Sequence, residues 1–139
     1  MGLSTKNLWE GDRIPSLSIL VVDDDELNRR LMRVLLTQVG HRVEVASNGL
    51  EALEAVKHKR FDIVLMDLQM PVMDGMEASR QIRAWENESS HTFIVALTAS
   101  YLPEEGQKLF EAGMDNFISK PFQVEQIQKL LRYGSPESH

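Results

Sequence analysis

Ser18-Ile19-Leu20-Val21-Val22-Asp23-Asp24-Asp25 is a short, almost wholly apolar and β-branched run closed by three acids. Its length suits a strand, and its near-unbroken hydrophobicity suits one buried on both faces of a parallel sheet. Similar short runs recur at Arg42–Ala46, Ile63–Met66, Phe93–Leu97 and Asn116–Ser119. Each is rich in apolar or β-branched residues and too short for a helix.

Stretches with helical spacing lie between these runs. Leu27, Leu31, Val34 and Leu35 form the apolar stripe of a first predicted helix, which Gly40 stops. Asn48 and Glu51 form a capping pair ahead of Ala52, Leu53 and Val56 in a second. Met76, Ser79, Ile82 and Arg83 sit in a third. Pro103, Glu104 and Glu105 suit the first turn of a fourth, because Pro lacks no needed donor there and acids meet the helix dipole. Gly113 ends it, and Val124, Ile127, Leu130 and Leu131 mark a fifth. Strands alternating with helices imply a doubly wound α/β fold with a parallel sheet covered on both faces. The expected domain spans residues 17–132, with a linker or tail at 1–16 and a polar tail at 133–139.

Composition narrows the function. The chain has 139 residues, 42 % hydrophobic and 26 % charged, which fits an ordinary globular domain. A net charge of −6 with no basic stripe argues against nucleic acid as a partner. No cysteine is present, which excludes disulfides, zinc-thiolate sites and cysteine nucleophiles and fits a reducing compartment such as the cytoplasm. No apolar run approaches the roughly 20 residues that span a bilayer, and no apolar core follows Met1 to make a signal peptide. His41, His58, His91 and His139 lack metal-ligand spacing and read as surface residues. Met66, Met70, Met73 and Met76 read as packing residues, and Trp9 and Trp85 have no partner motif.

In open α/β sheets, ligands bind beyond the carboxyl ends of the strands. The first polar residues after the apolar runs are therefore the informative ones. They are Asp23-Asp24-Asp25, Asp67, Thr98 and Lys120, the last followed by Pro121. Carboxylates about 4 Å apart repel by about 4 kcal/mol per pair at an effective dielectric near 20. A hard divalent cation offsets this, and carboxylates with water are what Mg²⁺ prefers. An acid, a metal, an ammonium and a hydroxyl around one point form a site for a transferred phosphoryl group. Taken singly, each residue has a plainer role: helix capping for the acid run, a turn for Asp67, structure for Thr98. The joint pattern, each residue at the matching strand end, carries the reading.

The stretch from Asp62 to Gly75, with Met66-Asp67-Leu68-Gln69-Met70-Pro71 at its centre, resembles the phosphorylation loop of response-regulator receiver domains. Ile19–Asp24, Ala96-Leu97-Thr98-Ala99 and Ala112–Asp115 through Lys120-Pro121 resemble that family's remaining signatures. The wording around Asn28-Arg29-Arg30 and Asp67–Pro71 is most like receivers attached to hybrid sensor histidine kinases. The resemblance implies a flavodoxin-like sheet of order 2-1-3-4-5 with five helices. It implies a phosphorelay role, with a histidine kinase or histidine phosphotransfer domain as donor and Asp67 as acceptor. It makes Asp24, Asp67 and the Gln69 backbone carbonyl direct Mg²⁺ ligands, with Asp23 acting partly through water. It makes Thr98 and Lys120 phosphoryl ligands and Thr98 with Phe117 a switch pair. Many receivers carry Tyr at the position of Phe117, so a hydroxyl-dependent switch bond is missing here. Gln69 and Ser100 lie where the family tunes phosphoryl lifetime. By the same resemblance the Lys120–Pro121 bond is cis, at a cost of about 0.5–1 kcal/mol. Output is expected on the face of the fourth helix, fifth strand and fifth helix. Such a domain is a signalling module that catalyses its own phosphorylation and dephosphorylation. It is either a stand-alone regulator or a piece of a longer hybrid kinase.

Two rivals share the pattern. A haloacid-dehalogenase-type phosphohydrolase would use Asp23 as nucleophile, but Leu27 stands where Thr or Val is usual and no acidic pair follows Lys120. A flavin or nucleotide binder on the same fold needs a phosphate-cradling loop after the first strand, and Asp24–Leu27 offers none.

Overall fold

A computed structural model describes residues 16–87, 90–98 and 103–119, together with residues 125, 126 and 129. Five strands form one parallel sheet: β1 (Ser18–Val22), β2 (Arg42–Ala46), β3 (Ile63–Asp67), β4 (Phe93–Thr98) and β5 (Asn116–Ser119). Their order is β2-β1-β3-β4-β5, as the family resemblance implied. Four helices connect them: α1 (Glu26–Gln38), α2 (Gly49–His58), α3 (Gly75–Trp85) and α4 (Pro103–Glu111). Glu125, Gln126 and Lys129, within the expected fifth helix, are helical, and the rest of that helix lies outside the described residues.

The strands bury what their composition demands. β1 and β3 are buried at every residue, while edge strand β2 is largely open. Alternating side chains split the core into two layers. Leu20, Val22, Val64, Met66, Ile94 and Ala96 pack against α2, α3 and α4 residues such as Leu53, Ile82 and Leu109. Ile19, Val21, Ile63, Leu65, Val95 and Leu97 pack on the other face against Met32 and Leu36 of α1.

Here α1 departs from expectation. Leu27, Leu31 and Val34 are 71 %, 54 % and 52 % exposed, and Met32 and Leu36 face the sheet instead. At 3.6 residues per turn these two apolar stripes lie on opposite sides of the helix. His41 also differs from the surface role expected of it. It is buried, and its Nδ1 accepts the Leu17 backbone N–H at 3.1 Å, so this imidazole ties the chain entering β1 to the turn before β2.

The helix ends follow their sequence signals. Asp25, Asn48 and Asp74 are the N-caps of α1, α2 and α3, accepting from the N–H groups of Leu27, Glu51 and Glu77. Gly40 and Gly113 adopt positive φ where their helices stop.

Candidate functional site

β1 and β3 are adjacent and parallel, so their carboxyl ends meet at one edge of the sheet. Asp67 is the last residue of β3, and Asp23 follows β1 directly. Carboxylate oxygens of Asp23, Asp24 and Asp67 lie within 4.8 Å of one another. Asp23 and Asp67 are buried, at 2 % and 8 % exposure, whereas Asp24 is exposed. Three like charges at this spacing, two of them desolvated, call for a counter-charge. All the donors are hard oxygens, and the set opens to solvent at Asp24. That chemistry fits a Mg²⁺ ion with part of its water shell retained.

The acid run at residues 23–25 divides between the two roles open to it. Asp25 turns away to cap α1, its Oδ1 2.9 Å from the Leu27 nitrogen. Asp23 is fixed from three sides. Its N–H donates to the Ala46 carbonyl, its Oδ1 accepts the Asp25 N–H at 2.9 Å, and its carbonyl accepts Arg29 Nη1 at 2.7 Å. The Arg29 guanidinium thus clamps the backbone of the acid pocket, a role with no local signature in the sequence. Beside it, Glu51 accepts both the N–H and the hydroxyl of Ser47, at 2.7 and 2.8 Å. Those bonds, aided by Arg29, hold the Glu51 carboxyl below its usual range.

Two glycines let the loop after β3 fold over the site. A Cβ on Gly75 would sit 2.3 Å from the Asp67 carbonyl oxygen, and one on Gly49 would sit 2.5 Å from that of Met73. The Gly75 N–H donates to the Leu68 carbonyl and the Gly49 N–H to that of Met73, at 3.0 and 2.9 Å, and the missing side chains let the neighbouring backbone come this close. Val72 at the loop's tip carries φ of 70° and is 76 % exposed, a strained conformation for a β-branched residue.

Thr98 ends β4, the strand beside β3, one residue beyond the partner of Asp67 in the register. It is buried. Phe117 pairs with Ala96, two residues before Thr98, so Thr98 and Phe117 share a sheet face. Phe117 is half-buried and meets Phe110 edge-on with centroids 6.5 Å apart. Gln69 is exposed in the loop. Lys120, Pro121 and Ser100, with the expected cis bond, lie outside the described residues.

A family model described as the response regulator receiver domain matches residues 19–132. The hybrid signal transduction histidine kinase G of Dictyostelium discoideum is 40 % identical over 121 residues, covering 85 % of this chain and 4 % of that protein. The chain therefore spans a small part of that kinase's length. The receiver domain of the sensor histidine kinase PA1611 from Pseudomonas aeruginosa PAO1 carries a magnesium ion coordinated in its active-site cleft. It superposes with a TM-score of 0.76 at 35 % identity, covering 85 % of this chain and 96 % of that one. The receiver domain of Saccharomyces cerevisiae Ssk1, crystallised with the histidine phosphotransfer protein Ypd1, gives a TM-score of 0.79 at 28 % identity, covering 85 % and 88 %. These likenesses do not support the phosphohydrolase reading. The geometry agrees with that outcome, because Asp25, the second acid of that reading's D-x-D, is spent on capping α1.

Proposed function

The chain belongs to the response regulator receiver domain family, and from that premise we propose that Asp67 accepts a phosphoryl group from a phosphohistidine donor. The observation that carries the proposal is the convergence of Asp23, Asp24 and Asp67 oxygens within 4.8 Å at one sheet edge. In the transfer an Asp67 carboxylate oxygen attacks phosphorus. A P–O bond forms as the donor's P–N bond breaks, and the donor imidazole leaves with the electron pair. Bound Mg²⁺ supplies charge neutralisation for the phosphoryl oxygens. Asp24, Asp67 and the Gln69 carbonyl would hold it, with Asp23 acting through water. Thr98 and Lys120 would ligate the phosphoryl oxygens, and Gln69 and Ser100 would set how long the group survives. The domain proper would be residues 17–132, acting in the cytoplasm, where ATP charges histidine kinases.

The donor needs a place to dock beside Asp67. α1 begins immediately after the acid run, and its outward stripe of Leu27, Leu31 and Val34 is apolar and uncovered among the described residues. Such a stripe suits a helical partner that presents a phosphohistidine. After transfer, Thr98 would move toward the new oxygens and Phe117 would turn inward behind it, reshaping the surface of α4, β5 and the fifth helix for a downstream partner. The phosphoryl group shifts that balance only by its better fit to the active form.

A calorimetric Mg²⁺ titration tests the metal assignment. Asp24→Ala should bind Mg²⁺ at least about tenfold more weakly, having lost a charged oxygen ligand. Equal affinity in the two proteins would refute it. Transfer from a phosphohistidine domain tests the docking face: Leu31→Glu should slow it while leaving phosphorylation by acetyl phosphate unchanged.

A further inference from the structure

At the opposite end of the sheet lies a cavity of about 250 Å³ between the ends of α2 and α3 and the starts of β3 and β4. It holds the space of roughly eight waters. Phe61, Trp85, Lys57 and Arg60 are among the residues that line it. The sequence Lys57-His58-Lys59-Arg60 concentrates positive charge there, on a chain whose net charge is −6. The charges nearby are unequally occupied. Glu86 is held by Arg83 and by the Thr92 N–H, and His91 by Asp115. Lys59 reaches Glu44 and also lies over the Phe61 ring. Lys57 and Arg60 have no ion pair among the described residues, and Trp85 remains 46 % exposed.

Unpaired cations beside an open indole make a composite recognition surface. The cations select an anion through charge-assisted hydrogen bonds, and the indole offers a flat face for stacking. We infer that this cavity binds a nucleotide, with its phosphate on Lys57 and Arg60 and its base on Trp85. The site is separate from the acid edge. Along β3 alone, from Ile63 to Asp67, the chain advances four residues in extended form, about 13 Å, and Phe61 lies before that strand begins.

Trp85 reports on its own site, because Trp9 is the only other tryptophan in the chain. In a Trp9→Phe background, AMP and inorganic phosphate are titrated separately in EDTA, which removes divalent metal from the acid edge. AMP should quench Trp85 emission saturably. Lys57→Ala with Arg60→Ala should weaken that binding about tenfold or more, and Asp67→Asn should leave it unchanged. A matching far-UV spectrum and melting midpoint in the double variant would establish that it is folded, as expected for two exposed side chains. Inorganic phosphate should compete without quenching. The inference fails if AMP gives no saturable change, or if the double variant stays within about twofold of its parent. It also fails if phosphate binds as tightly as AMP, or if Asp67→Asn abolishes the response.

Discussion

The two ends of the sheet handle charge in opposite ways. At the carboxyl end, Asp23, Asp24 and Asp67 bring like charges within 4.8 Å. At the amino end, the charges around Arg83 are paired with opposite sign, while Lys57 and Arg60 stand outside that network. Arg83 donates to Glu86, Asp115 and the Gly113 carbonyl, each at 2.8 Å, and Asp115 also holds His91 and the Ile94 N–H. A fold selected for stability alone would use the second arrangement throughout. The first costs stability, and the proposed function gives it a reason, since an incoming cation and phosphoryl group would supply what is missing. Removing a carboxylate from the acid cluster should therefore act on stability with the opposite sign to removing Asp115.

The largest effect is expected at the amino end. Asp115→Ala leaves the Ile94 N–H without its acceptor and takes from the partly buried Arg83 guanidinium one of its three, with Glu86 and the Gly113 carbonyl remaining. A loss of about 3 kcal/mol in urea unfolding is expected, the orphaned Ile94 N–H and the lost Arg83 pair acting together. The rate of phosphorylation should be unchanged under conditions where the protein stays folded. Gly75→Ala should cost about 2 kcal/mol, because its Cβ would collide with the Asp67 carbonyl and the loop must shift. Unlike Asp115→Ala it should also slow phosphorylation, since the displaced backbone is that of Asp67, the proposed acceptor.

Asp24→Asn removes one charge from the crowded edge and should stabilise the metal-free protein by about 1 kcal/mol, the value expected for an exposed member of the cluster. Loss of stability on this substitution would break the proposed contrast. The smallest effect concerns Glu51. Its carboxyl is held below the usual range, so its contribution is complete above the unfolded value of 4.5 and disappears as pH falls through the lower folded value. Glu51→Gln should remove a few tenths of a kcal/mol at neutral pH, as fits an exposed group, and flatten the acid limb of the stability curve.

The sheet was legible because β-branched apolar runs announce buried parallel strands: β1, β2 and β5 begin and end where the sequence places them. Asp67 and Thr98 belong to the last positions of their strands rather than the first of the loops, a difference of one residue that polar character disguises. The inward side of α1 was not legible. The helix has two apolar stripes, the Leu27–Leu31–Val34 stripe is the larger, and only docking on the sheet selects Met32 and Leu36. His41 looked like a surface residue because its partner, the Leu17 N–H, is 24 positions away. The close approach of Gly75 to Asp67, the Arg29 clamp and the cavity beside Trp85 arise from segments that meet only after folding. At residues 23–25 composition allowed capping and pocket roles equally, and the direction taken by Asp25 separates them.

The central claim is that the acid edge exists to carry a phosphoryl group on Asp67. Intact-mass measurement after incubation with acetyl phosphate and Mg²⁺ tests it most directly. One added phosphoryl group is predicted on the unaltered chain and none on Asp67→Asn. An undiminished gain on Asp67→Asn, or a phosphoryl group mapped to Asp23, would contradict it.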